Sequence, residues 1–138
     1  AYLRSAFNKY GDLACERSMD REFTLNLPEM DILTEEGMAR YNNLCKQLDE
    51  MGASCCFTFP SRYSGEEDRD YIEEQAAEFT TALKAMLDSR YCTLISNISD
   101  YYFAGDVFYD TDYHLTLEGA AMRTQQLIED LVRFLEGQ

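Results

Sequence analysis

Two short apolar runs constrain this chain most. ASCCFTF at 53–59 and CTLIS at 92–96 are rich in strand formers and show no polar alternation. Runs of that length without alternation predict strands buried on both faces, as in a parallel sheet. Each comes after an amphipathic segment. Thr34 is a good N-cap, with Glu35 and Glu36 in the first turn, where they suit the helix dipole. Met38, Tyr41, Leu44, Cys45, Leu48 and Met51 then recur at helical spacing up to Gly52. Ile72, Ala76, Phe79, Leu83, Met86 and Leu87 mark a second helix. A third begins near Thr116 and presents Leu117, Ala121, Leu127, Ile128, Leu131 and Leu135 on one face.

Helix, strand, helix, strand, loop, helix is the order of an α/β protein with a parallel sheet. Two parallel strands make a poor stand-alone sheet. Further strands are therefore expected within residues 1–32 or 100–109, or in a larger domain to which this chain belongs. EFTLNL at 22–27 alternates and reads as a short strand, while residues 97–116 form an irregular aromatic and acidic loop. The chain opens at AYLRSAF, without methionine and in mid-pattern, as a processed chain or a piece of something longer would.

A length of 138 residues fits one domain with a sizeable core. The formal charge of −14, from 26 acidic and 12 basic residues, repels nucleic-acid phosphates and anionic headgroups and argues against both partners. No stretch approaches the roughly 20 apolar residues of a membrane helix, so this segment is not expected to insert into a bilayer. The cysteines, Cys15, Cys45, Cys55, Cys56 and Cys92, are odd in number and show no CxxC spacing. They read as reduced thiols, the last four buried in apolar segments, and not as a disulfide scaffold or a zinc site.

Chemistry concentrates near the end of the chain. YDTDYHLTLEG at 109–119 holds the only histidine, His114, with Asp110 and Asp112 before it. Loops beyond the carboxyl ends of strands are where α/β sheets collect functional groups. A histidine there can be a general base when a carboxylate orients the ring. The rival reading is a surface histidine beside a helix N-terminus. Arg62 and Tyr63, in SRYSGEEDRDY, come after a strand and are candidate substrate contacts, against a solvated-loop reading. Tyr109 and Tyr113 belong to an aromatic cluster with Tyr101, Tyr102, Phe103 and Phe108, which can offer ring faces to a sugar or simply pack under the loop. Asp106, Asp110, Asp112 and Glu118 could gather around Ca²⁺, but they lack EF-hand spacing, and no metal or cofactor is expected. Ser5, Ser18, Ser61 and Ser64 lack the strand–turn–helix setting of a nucleophile and read as polar loop residues, and Asn8 as a turn residue.

DYHLTLEGAAMRTQQLIEDL resembles the carboxy-terminal block of SGNH/GDSL-type hydrolases, in which an Asp–His pair precedes the last helix. DYHLTLEG is more closely similar to the D-x-H-W-N-x-x-G block of SGNH-like proteins that O-acetylate alginate. RSAFNKYGD and the segment from ILTEEGMARYNNLCKQLDEMGASCCFTFP to SRY resemble the later part of bacterial SGNH-like proteins. The resemblance implies a three-layer α/β/α, flavodoxin-like fold with a mostly parallel sheet, incomplete in this single-domain, carboxy-terminal portion. It makes His114 the general base and Asp112 its orienting acid, with Asp110 the alternative; the commoner D-x-x-H spacing would land on Thr111. The family's G-D-S serine has no counterpart, since GDLA at 11–14 places Leu13 there and has no apolar strand before it. The activity implied is ester hydrolysis or acyl transfer on O-acetylated carbohydrate, at the cell envelope or outside the cell, with this chain nearly inactive alone. Unpaired cysteines equally fit the cytoplasm. The other reading is a non-catalytic α/β domain that binds a partner or glycan.

Overall fold

The computed structural model describes Arg4 and residues 22–109 and 111–137. Cys15, the GDLA segment, Ser5, Ser18, Asn8 and Asp110 lie outside the described residues. Three helices carry the fold: α1 (Glu35–Glu50), α2 (Arg69–Met86) and α3 (Leu117–Glu136). Strands β1 (Cys55–Phe57) and β3 (Cys92–Leu94) pair in parallel, with Cys55 opposite Cys92 and Phe57 opposite Leu94. A second parallel pair joins β2 (Arg62–Tyr63), in a segment read as a polar loop, to β4 (Tyr102–Phe103), within the 100–109 stretch where a further strand was expected. The described residues thus form a mixed α/β protein with two small parallel sheets. None of its described helices is long and apolar enough to cross a membrane.

Local signals explain the helix starts. Thr34 Oγ1 accepts from Gly37 N at 3.1 Å, and Thr116 Oγ1 from Gly119 N at 3.1 Å. Helix α1 gives way to Gly52 at φ 82°, a left-handed residue that suits glycine. Asn42 then binds α1 to the end of α2. Its Nδ2 donates to Met86 O at 2.8 Å, one of the carbonyls that a helix end leaves unpaired, and its Oδ1 accepts from Asp88 N at 2.9 Å.

The core lies on one face of the β1–β3 sheet. Met38 and Cys45 from α1 and Ala76, Phe79 and Leu83 from α2 pack with Phe59, Cys92, Ile98 and Tyr101. Cys55, Phe57 and Leu94 turn toward this cluster, whereas Cys56 and Thr93 on the alternate positions are exposed. The expectation of strands buried on both faces therefore fails for these two strands, because only one face is covered. Burial of Cys56 fails for the same reason. Burial raises the pKa of the Cys45, Cys55 and Cys92 thiols. No disulfide forms among the described cysteines.

EFTLNL is not a strand. It runs without a ladder, held instead by side chains: Phe23 packs on Tyr63 and Phe108 with ring centroids 5.5 and 5.8 Å apart, and Tyr102 donates its hydroxyl to Asn26 O at 2.8 Å. In α3 most of the expected apolar face is turned out, Leu127 alone of it being half-buried. Leu117, Ile128, Leu131 and Leu135 are exposed, Leu117 to 70%. The stripe facing the protein is Gly119, Arg123, Gln126 and Asp130, at i, i+4, i+7 and i+11. The reason is the polar composition of the surface it meets.

That surface centres on Asp130, which is 0% exposed. Its Oδ2 lies 2.6 Å from Ser96 Oγ and 2.8 Å from the Tyr101 hydroxyl. Its Oδ1 accepts from Gln126 Nε2 at 3.2 Å and from the Arg133 guanidinium. An ionised carboxylate only accepts, so the single Ser96 proton goes to it. Thr58 Oγ1, 2.7 Å from Ser96 Oγ, must then donate to Ser96. Burial pushes the Asp130 carboxyl up, but the hydrogen bonds from Ser96, Tyr101 and Gln126 and the Arg133 charge outweigh it and hold the group below its ordinary range.

Asp130→Ala leaves buried hydroxyls without an acceptor and is expected to cost about 3 kcal/mol or more, read from urea unfolding. An unchanged midpoint and slope would contradict the clamp. The pH dependence has a defined direction. A carboxylate whose native pKa lies below its unfolded value, near 3.9, stabilises fully above that value and loses its effect as pH falls through the native one. Stability followed by circular dichroism should therefore fall less steeply below about pH 4 in Asp130→Asn than in the native chain.

Candidate functional site

His114 ends a tight hairpin. An antiparallel bridge pairs Phe108 with Leu115, and Tyr109 N donates to His114 O at 3.1 Å. Inside the turn Thr111 Oγ1 accepts from His114 N at 3.0 Å, a local side-chain bond of the kind that fixes Ser/Thr turns. The hairpin is tied to the rest of the protein at two points. Tyr63 N donates to Asp112 O at 3.0 Å, and Thr116 N donates to Val107 O at 2.8 Å. The second contact requires close approach of α3. A Cβ on Gly119 would stand 2.5 Å from Val107 O, so only glycine fits without displacing the backbone. The closing glycine of YDTDYHLTLEG thus sets where His114 can be.

The imidazole stands between two tyrosines. Tyr109 stacks on it at 5.7 Å and 21°, and Tyr113 meets it edge-on at 4.7 Å and 74°. The Arg62 guanidinium lies 6.0 Å from the Tyr113 ring centroid. Tyr109 and Tyr113 are therefore brought against His114, whereas Arg62 reaches only the Tyr113 ring and lines a separate hollow with Asn26 and Glu29. Tyr63 contributes its backbone instead, since its ring packs against Phe23 and Phe108 at 5.5 and 6.4 Å. Asp112 is in the same turn, where its carboxylate accepts from Asn26 Nδ2 at 3.4 Å. Asp106, Asp112 and Glu118 do not gather into a metal-binding group among the described residues.

Pro60, Ser61, Tyr109, Tyr113, His114 and Arg123 line a shallow hollow of about 380 Å³, with Leu115 and Ala120 completing it. Arg123 also lies 5.8 Å from the Tyr101 ring. Ser61 is the residue that the sequence misjudged. It is 4% exposed, not a solvated loop residue: it lies between β1 and β2 and shares the hollow with Ala120 and Arg123 of α3. Among the described residues its Oγ is the one buried side-chain oxygen without a hydrogen-bond partner. Nothing in a PSR tripeptide signals that.

No family model, curated protein or solved structure matches the chain.

An unpaired buried hydroxyl carries a desolvation cost of about 1–3 kcal/mol. Ser61→Ala is therefore expected to be neutral or to stabilise the protein by about 1 kcal/mol, a rise of roughly 4 °C in melting temperature by calorimetry. A comparable loss would show that the hydroxyl is satisfied in solution.

Proposed function

We propose that the His114 hollow is the acid–base part of an SGNH-like site for ester hydrolysis or acyl transfer, acting on O-acetylated carbohydrate. The observation that carries this reading is the placing of the sole histidine. It shares a hollow with Pro60 and Ser61, which follow the carboxyl end of β1, and its backbone is locked by Thr111 and its ring framed by Tyr109 and Tyr113. In this reaction His114 takes the proton of a serine hydroxyl as that oxygen attacks the ester carbonyl, then returns it to the departing sugar oxygen. The nucleophilic serine is not assigned among the described residues. Asp110 or Asp112 is the orienting carboxylate. The tyrosine faces suit a sugar ring, and Arg62 holds Tyr113 through a cation–π contact. The same reading carries a three-layer, flavodoxin-like sheet, to which the two short parallel pairs would contribute.

A second reading, a glycan- or partner-binding domain without catalysis, draws on the Asp112 side chain. Asn26 engages that carboxylate, which suits a purely structural turn.

Turnover of a chromogenic acetyl ester separates the two. The longest natural polypeptide containing this chain is expected to hydrolyse it, and His114→Ala to reduce kcat by at least about 100-fold, the scale of lost general-base catalysis. Equal turnover by both proteins sinks the catalytic role. The 138-residue chain alone is expected to be nearly inactive.

A further inference from the structure

Three other hollows of the surface set an arginine among carboxylates: Arg69 with Glu73 and Asp100, Arg62 with Glu29, and Arg133 with Asp100 and Glu129. Among the described residues that line the His114 hollow there is no carboxylate side chain. The hollow contains Arg123 instead, and Arg62 stands over the neighbouring Tyr113 ring. Among the described residues neither arginine is ion-paired with a carboxylate; each faces an aromatic ring. Ser61, on the wall of the same hollow, holds the buried hydroxyl that has no partner. Its Oγ changes direction by rotation about one bond between staggered positions.

A hydroxyl with a free proton and a guanidinium that cannot accept make a set of donors waiting for an acceptor. Guanidinium also matches the planar geometry of a carboxylate. The size of the hollow, about 380 Å³, lies at the small end of ligand pockets. We propose that it is a binding subsite for a small carboxylate. Ser61 Oγ donates to one carboxylate oxygen, and Arg123 opposes the charge. Acidic surroundings repel the anion at long range, so Arg123 supplies the local attraction in this hollow. The proposal rests on the hydrolase reading in one respect: the carboxylate it names is the acyl product of ester cleavage, acetate. Ser61 and Arg123 then act as product- and acyl-positioning residues, distinct from the serine that attacks.

The lone histidine makes the test direct, because its ring C–H signals in an NMR spectrum belong to one residue. Sodium acetate titrated at fixed pH, against sodium chloride at matched ionic strength, is expected to move the His114 signals along a saturating curve. Ser61→Ala and Arg123→Gln should each weaken the apparent affinity about tenfold, the scale of a lost hydrogen bond to a charged group. Arg123 is on the partly exposed side of α3, so its variant tests the site even if Ser61→Ala alters the fold. Signals that do not saturate, or Ser61→Ala and Arg123→Gln proteins that bind acetate as the native chain does, overturn the proposal. Inorganic phosphate is the competing probe. Binding as tight as that of acetate overturns the assignment to a carboxylate. Loss of esterase turnover in His114→Ala with acetate binding unaltered in Ser61→Ala defeats this inference and leaves the hydrolase reading standing. Saturable, Ser61-dependent acetate binding with turnover indifferent to His114 does the reverse.

Discussion

A single buried carboxylate organises the second half of this protein. Asp130 draws Ser96 from beyond β3, Tyr101 from the 3-10 turn after it, and Gln126 and Arg133 from its own helix onto two oxygens. Taking such a charge out of water is expensive unless every lone pair is used, and here four donors use them. Satisfaction of that kind fixes geometry, because few arrangements of α3 keep all four bonds. The roll of α3 about its axis is set by this demand, and with it the outward turn of Leu117, Ile128, Leu131 and Leu135.

The hairpin that bears His114 depends on the same placement. Thr116 caps α3 and donates to Val107 O, and Gly119 allows the helix to touch that carbonyl. From the other side, β2 holds the Asp112 carbonyl through Tyr63 N. His114 therefore stands where two independently anchored segments meet, one from the end of β1 and one from the start of α3. The same meeting brings Ser61 and Arg123 together, residues 62 positions apart in sequence (from 61 to 123). Arg123 reaches this hollow through that convergence and not through a local run of basic residues.

Legibility in the sequence depended on range. The helix starts at Thr34 and Thr116, the apolar stripe of α2 and the pairing of the two apolar runs in parallel are governed by contacts within a few residues or by simple burial, and each was legible. The aromatic surround of His114 was legible too, since Tyr109 and Tyr113 are neighbours in the chain. Three readings failed for a common reason. EFTLNL alternates like a strand but lacks a strand to pair with; ASCCFTF is apolar throughout, yet only one of its faces is covered; α3 has an apolar stripe, but its polar stripe found the better partners. Periodicity reports which residues could share a face and says nothing about what that face will meet.

Amino-acid order alone therefore decided the local elements: where the helices begin, and that the histidine lies in a turn between a strand and the last helix. Each is settled by side chains bonding or packing within a few residues of themselves. The burial of Asp130, the withdrawal of Ser61 from solvent and the gathering of Ser61, Arg123 and His114 around one hollow were decided only on folding. Those outcomes rest on hydrogen bonds and charges between distant segments, whose energies exist only once the segments are in contact.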